Sequence, residues 1–214
     1  MSIKEQLALT KAGFYAKVPE EAQTKILLHV KEQQESGIVY GLREGERAPN
    51  FSMTNPLGEP ITLHDELAKG PVVLVFYRGS WCPFCSVQLR AFQRLLPDIQ
   101  RNDGQLIAIS PQSPDNSLTQ IEKEQLTFPV LSDPNGDVAN RYNLLFELPA
   151  YLRDTFLHAL GRDLALFNQC DRWVLPVPAT FLIDRGGVVR RSYVNPDFMD
   201  RMEPQEILDH LKLL

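Results

Sequence analysis

Tyr77-Arg78-Gly79-Ser80-Trp81-Cys82-Pro83-Phe84-Cys85 decides how the chain is read, because an apolar run ends there and two cysteines open a helix. Upstream, Val72-Val73-Leu74-Val75-Phe76-Tyr77 is rich in β-branched and aromatic residues, the pattern of a strand buried on both faces. Downstream, Leu89, Phe92, Leu95, Leu96 and Ile99 recur at helical spacing, which predicts a helix from Pro83 toward Gln100. Pro83 suits the first helical position, where its missing N–H costs nothing. The unpaired N–H groups and the macrodipole at such a helix start favour an anion, and here the anion is a thiolate.

A free thiol titrates near ~8.5 and is mostly protonated at neutral pH; lowering it by two units requires about 2.7 kcal/mol. The helix start together with Arg78 is of the right order to supply that. Cysteines at i and i+3 share one helical face with Cα atoms about 5–6 Å apart, inside the range for a disulfide. A loop this short constrains the unfolded chain little, so the pair reads as redox chemistry rather than a staple. A zinc site would need a second close-spaced ligand pair, which Cys170, His29, His64, His158 and His210 do not provide. The chemistry expected here calls for no metal and no cofactor.

With 214 residues, 43% of them hydrophobic, the chain suits one substantial core, read as a helical arm over 1–44 and one α/β domain over 45–214. A formal charge of −5, with no basic cluster carrying interleaved aromatics, speaks against a nucleic-acid surface. Met1-Ser2-Ile3-Lys4-Glu5-Gln6 carries charge without a following apolar core, so neither a secretory signal nor a membrane anchor is expected. Three cysteines point to a reducing compartment, with the cytoplasm as the simplest location.

Taken in order, residues 3–16 and 19–35 read as two helices, closed by Ser36-Gly37. This arm packs either on its own domain or on a second subunit. Phe51-Ser52-Met53 and Ile61-Thr62-Leu63 alternate as a short hairpin, and His64-Asp65-Glu66-Leu67 begins a brief helix. Leu106 to Ile109 and Phe128 to Leu131 are further strands, with a helix over Ser117 to Gln125 between them and another ending at Tyr142. Strands alternating with helices predict a mostly parallel central sheet flanked by helices. Residues 144–173 read as an insertion outside the sheet, with helices near Tyr151 to Leu160 and Leu164 to Asn168, and with Cys170 as a bystander. A loop through Pro178, a strand from Ala179, a turn at Asp184-Arg185-Gly186-Gly187 and a returning strand over Val188 to Val194 precede a last amphipathic helix over 203–213.

Several separated motifs resemble one family in its order. Gly45-Glu46-Arg47-Ala48-Pro49-Asn50-Phe51, the strand into Tyr77, Ile109-Ser110-Pro111, Phe128-Pro129-Val130-Leu131-Ser132-Asp133-Pro134 and Ala179-Thr180-Phe181-Leu182-Ile183-Asp184 look like peroxiredoxins of the alkyl hydroperoxide reductase and thiol-specific antioxidant family. The resemblance covers about residues 45 to 195 and implies a thioredoxin-like fold. On the family's Pro-x-x-x-Thr/Ser-x-x-Cys motif, Cys85 takes the peroxidatic position, Cys82 the Thr/Ser position and Arg78 the proline position. The hydroxyl that orients peroxide is thus replaced by a thiol, and Pro178 stands where the family supplies a second arginine. Trp81-Cys82-x-x-Cys85 with Pro178 is similar instead to thioredoxins, which implies a cis Val177–Pro178 bond, an exposed attacking Cys82 and a resolving Cys85. Cys-Pro-Phe-Cys is also close to the glutaredoxin motif.

The resemblance implies a thiol peroxidase that reduces hydrogen peroxide or organic hydroperoxides through a Cys82/Cys85 dithiol–disulfide cycle. Arg78, Trp81 and Pro178 would support that site, and thioredoxin or glutathione/glutaredoxin would regenerate it. The alternative is a disulfide oxidoreductase acting on substrate disulfides; a redox-inactive binding module is the third class. Dimerisation is implied by the resemblance alone.

Overall fold

The computed structural model describes residues 1–214, beginning with α1 (Ile3–Lys17) and α2 (Glu20–Glu35). Ser2 caps α1 reciprocally: its hydroxyl accepts the Glu5 N–H and its own N–H donates to the Glu5 carboxylate at 2.7 Å. The arm folds onto its own domain, with Ile3, Leu7, Ile26 and Val30 joining the buried cluster beneath the cysteine helix.

The hairpin β1 (Ser52–Thr54) and β2 (Pro60–Thr62) leads into α3 (Leu63–Lys69), whose first turn is capped by the Thr62 hydroxyl. There follow β3 (Val72–Phe76), α4 (Pro83–Arg101), β4 (Gln105–Ser110), α5 (Pro114–Glu124), β5 (Val130–Ser132) and α6 (Asp137–Arg141). Next come β6 (Leu145–Glu147), α7 (Ala150–Asp154) continued by a π-helical turn over Thr155–Ala159, and α8 (Leu164–Asn168). The chain ends with β7 (Val174–Pro176), β8 (Ala179–Ile183), β9 (Val189–Val194) and α9 (Pro204–Leu211).

The central sheet has the order β5-β4-β3-β8-β9, with β3 in the middle and wholly buried. Side chains alternate across it as strand geometry requires. Val73, Val75 and Tyr77 face α4, α9 and the arm, while Val72, Leu74 and Phe76 face α3 and α6.

The sheet is mixed rather than mostly parallel. β3–β4 and β4–β5 are parallel, but β3–β8 and β8–β9 are antiparallel. The reason lies in the connections. The excursion through 144–173 returns on β7, antiparallel to β6, and runs on into β8, so the chain re-enters the sheet reversed. The short turn at Asp184–Gly187 then permits only an antiparallel β9, since parallel neighbours need a crossover. The β6–β7 pairing, Leu145↔Pro176 to Glu147↔Val174, closes the neck of the insertion and was not expected from sequence. All peptide bonds are trans, Val177–Pro178 included, which corrects the expected cis bond. The trans form is the intrinsically favoured one, and the flanking anchors hold here without a cis turn: Val177 N–H donates to Leu144 O, and Pro178 O accepts Asn195 N–H.

Candidate active site

The turn between β3 and α4 is fixed from both ends. Tyr77 N–H donates to the Ile109 carbonyl, and Ser80 N–H donates to Gln112 Oε1 at 2.9 Å. Gln112 is held in turn by its amide nitrogen, 2.9 Å from both Tyr77 Oη and Gln120 Oε1. Cys82 is the N-cap of α4 and Pro83 its first residue, as the spacing predicted.

Gly79 carries φ +138°, and a Cβ there would stand 2.6 Å from Trp81 Nε1. Both facts require glycine. Gly79→Ala is expected to cost about 1–3 kcal/mol of stability, read as a lower urea midpoint with altered Trp81 fluorescence. An unchanged midpoint would show that the turn relaxes freely.

Both sulfurs are buried, Cys82 at 1% exposure and Cys85 at 0%, and both cysteines are free thiols. The exposed Cys82 implied by likeness to thioredoxins is therefore corrected: Trp81, Arg78 and the π-turn close over it, although its side chain still lines the wall of an open groove. Cys85 lies behind it. Its Sγ accepts the Arg78 N–H at 3.5 Å and an Nη2–H of Arg201 at 3.5 Å, with the Cys82 thiol alongside.

Arg201 was missed in the sequence. It comes from the loop before α9 and is 5% exposed. Its Nε donates to Gln88 Oε1 at 3.1 Å, and Gln88 Nε2 donates to Thr180 Oγ1 at 3.2 Å. A buried polar chain thus runs from β8 through α4 to the sulfur. The available signal was an Asp200-Arg201 pair set between the apolar residues Phe198-Met199 and Met202.

The Arg78 guanidinium is caged by aromatics, its Cζ 4.1 Å from the Phe198 ring centre, 4.9 Å from Trp81 and 5.9 Å from Phe156. The π-turn carries Phe156 edge-on to Trp81 at 5.4 Å, the kind of placement for which such turns recur at functional sites. Neither Arg78 nor Arg201 forms an ion pair with a carboxylate, and both guanidinium groups act on the two sulfurs.

That asymmetry splits the pair. Burial pushes the Cys82 thiol well up, and its proximity to Cys85 pushes it further. Burial also acts to raise Cys85, but the Cys82 thiol, Arg201 and the Arg78 N–H together outweigh it and hold Cys85 well below the ordinary thiol range. Burial lowers Arg78 itself, with the neighbouring sulfurs opposing that shift.

Pro178 shares a cavity lining with Arg78, in a small cavity of about 20 Å³ that His29 and Gln33 of α2 also line. Cys170 lies apart, its thiol donating to Asn135 Oδ1 at 3.1 Å. No grouping of three or more His, Cys, Asp or Glu side chains is disposed to hold a metal ion, and no helix is long and apolar enough to cross a membrane.

Residues 45–192, which carry this turn, β3, α4 and β8, match the AhpC/TSA family. The chain belongs to that family. Relatives of this AhpC/TSA chain fall on both sides of its chemistry. The thiol-disulfide oxidoreductase ResA of Bacillus cereus is 25% identical over 160 residues, 74% of each chain. The putative peroxiredoxin Rv2521 of Mycobacterium tuberculosis is 29% identical over 123 residues, 54% of this chain and 78% of its own. Among solved structures, the peroxidoxin BcpB of M. tuberculosis shares the fold, with a TM-score of 0.63 at 22% identity over 81% of this chain and 98% of that one. The AhpC/TSA chain is thus a thioredoxin-like oxidoreductase, with an α/β sheet flanked by helices.

Proposed function

We propose that this protein is a thiol peroxidase in which Cys85 attacks the hydroperoxide and Cys82 resolves the product. The observation that carries this reading is the pair of buried guanidinium groups without a carboxylate ion pair, Arg201 hydrogen-bonded to the Cys85 sulfur and Arg78 set against the Cys82 and Cys85 sulfurs together. Burying unpaired cations is costly, and a Cys85 thiolate repays that cost.

In the first step the Cys85 thiolate attacks the terminal peroxide oxygen. The O–O bond breaks, an S–O bond forms, and sulfur loses two electrons as Cys85–SOH. The leaving alkoxide or hydroxide takes up a proton and departs as alcohol or water. Arg78 and Arg201 oppose the charge that grows on the leaving oxygen, an electrostatic contribution made without reorganisation. In the second step the Cys82 sulfur displaces water from Cys85–SOH and closes the disulfide. A dithiol such as thioredoxin, or glutathione with glutaredoxin, returns both thiols by exchange. Cytoplasmic residence agrees with three free thiols.

A second reading, thiol–disulfide exchange, has one observation in its favour: Cys82, not Cys85, lines the groove. Stopped-flow oxidation of the reduced protein, followed by Trp81 fluorescence, separates the two. The peroxidase reading expects a rate proportional to peroxide and far above that of a free thiol. A peroxide rate equal to that of free cysteine, with fast oxidation by a small disulfide, overturns it in favour of exchange.

A further inference from the structure

The cavity that Pro178 shares with Arg78 has two polar neighbours that the proposed chemistry does not use. His29 and Gln33 lie one turn apart on the same face of α2, and both line it. Gln33 is only 7% exposed, yet its side-chain nitrogen has no hydrogen-bond partner, and neither has His29 Nε2. A buried polar atom left without a partner carries its full desolvation penalty, so two of them at one cavity point to an occupant. Most other walls are apolar, among them Phe156 and Phe198, two of the rings that cage the Arg78 guanidinium. The cavity therefore lies at the charged end of Arg78. Its volume of about 20 Å³ exceeds the roughly 10–15 Å³ that one water-sized group needs and is far too small for an organic ligand.

The walls also set the charge of the occupant. An amide nitrogen and a guanidinium can only donate, and no aspartate or glutamate lines the cavity. Glu32 is engaged at the opposite ring nitrogen of His29, 3.7 Å from Nδ1, where it also accepts the Tyr151 hydroxyl.

Oxidation of the cysteines changes what this cavity faces. In the reduced pair the Cys85 thiolate offsets the charge of Arg201 and Arg78. In exchange with glutathione disulfide, Cys82 and Cys85 give up two electrons and close an S–S bond. Glutathione takes those electrons, the Cys82 proton and one proton from solvent, and leaves as two thiols. The disulfide is neutral, so two buried guanidinium groups then stand without an anion, which is costly.

We infer that the cavity is a site for one monatomic anion of chloride's size, walled in part by the helical arm, and that the disulfide form binds it more tightly than the dithiol. By linkage the bound anion stabilises the disulfide, so a halide makes the couple less oxidising. The inference rests on the dithiol–disulfide cycle common to both readings of the site, not on peroxide as the substrate.

The full chain is equilibrated with reduced and oxidised glutathione in potassium chloride or in potassium gluconate, whose anion is too large for the cavity. Equal ionic strength holds general screening constant. Alkylation and mass spectrometry then read the fraction of disulfide. Chloride is expected to shift the equilibrium toward disulfide about five- to tenfold, the effect of an anion at roughly four to nine times its Kd. Gln33→Leu, which keeps much of the side-chain volume and removes the donor, should bring that ratio to about one. Gln33→Glu, which supplies the anion from the chain itself, should favour the disulfide in gluconate and no longer respond to chloride. In crystals of the oxidised wild-type protein grown with bromide, an anomalous peak is expected between Gln33 and Arg78. Equal equilibria in the two salts, a chloride effect that survives in Gln33→Leu, or water alone in the bromide crystals would each overturn the inference. A pair that forms no disulfide in either salt would remove the cycle itself, and the inference with it.

Discussion

Cys85→Ser is expected to slow the reaction with hydrogen peroxide to the rate of an ordinary thiol, a loss of at least about 10²–10³-fold, the scale of one preorganised donor set at a reacting anion. The remaining Cys82 cannot substitute for it. Burial raises Cys82, and the Arg78 N–H and the Arg201 guanidinium are hydrogen-bonded to the other sulfur. Cys82→Ser should behave in the opposite way. It puts a hydroxyl where the thiol donor stood, keeps the first step fast, and stops at a Cys85 sulfenic acid that a dimedone trap labels with one equivalent. Single-turnover kinetics with mass spectrometry of both variants decides the matter. Fast first-step oxidation surviving in Cys85→Ser but lost in Cys82→Ser would reverse the assignment of the nucleophile.

Arg201→Met tests the electrostatics. The side chains are similar in volume, but the charge and its hydrogen bond to Cys85 are gone. Burial is then opposed only by the Cys82 thiol and Arg78, and Cys85 moves up toward the ordinary thiol range. A thiol at ~8.5 is only about 0.3% ionised at pH 6, so peroxide and iodoacetamide rates at pH 6 should fall, by up to about 10²-fold. Wild type and variant should converge toward pH 9.

Stability carries the same sign. A depressed Cys85 pKa stabilises the fold fully above the unfolded value of ~8.5, and that contribution is lost as pH falls through the folded value. The urea midpoint of the wild type should therefore gain on that of Arg201→Met as pH rises from 5 to 9. Loss of the partner of Gln88 Oε1 adds a cost of about 1–3 kcal/mol that does not vary with pH. Parallel pH profiles for the two proteins would show that Arg201 does not set the ionisation of Cys85.

The sequence was most legible where local chemistry acts alone. β3 is a continuous apolar run, α4 begins at Pro83 as capping logic requires, and Ser2 with Glu5 starts α1. Legibility failed where distant segments meet. β6 and β7 span Leu145–Glu147 and Val174–Pro176, too short for periodicity to register, and they pair across the whole insertion. Strand direction in β8 follows from that pairing, so the sheet was read as too parallel. Arg201 reaches Cys85 from 116 residues away, and nothing in its own neighbourhood states that distance. Trp81 and Arg78 were singled out for adjacency to the pair, but the cage around Arg78 needed Phe156 and Phe198 to be brought in from the π-turn and the last loop.

The two cysteines occupy a single turn, Cys82 as the cap and Cys85 as the third helical residue. In the proposed cycle this sets a race. A second peroxide can convert a sulfenic acid irreversibly to sulfinic acid before a thiol captures it. A resolving thiol held on the same turn competes at an effective concentration that can reach about 10⁵ M for well-oriented groups, against which no tolerable peroxide concentration counts for much. An enzyme built this way needs no helix to unwind before the disulfide closes, and oxidant surges should leave it catalytically intact rather than inactivated.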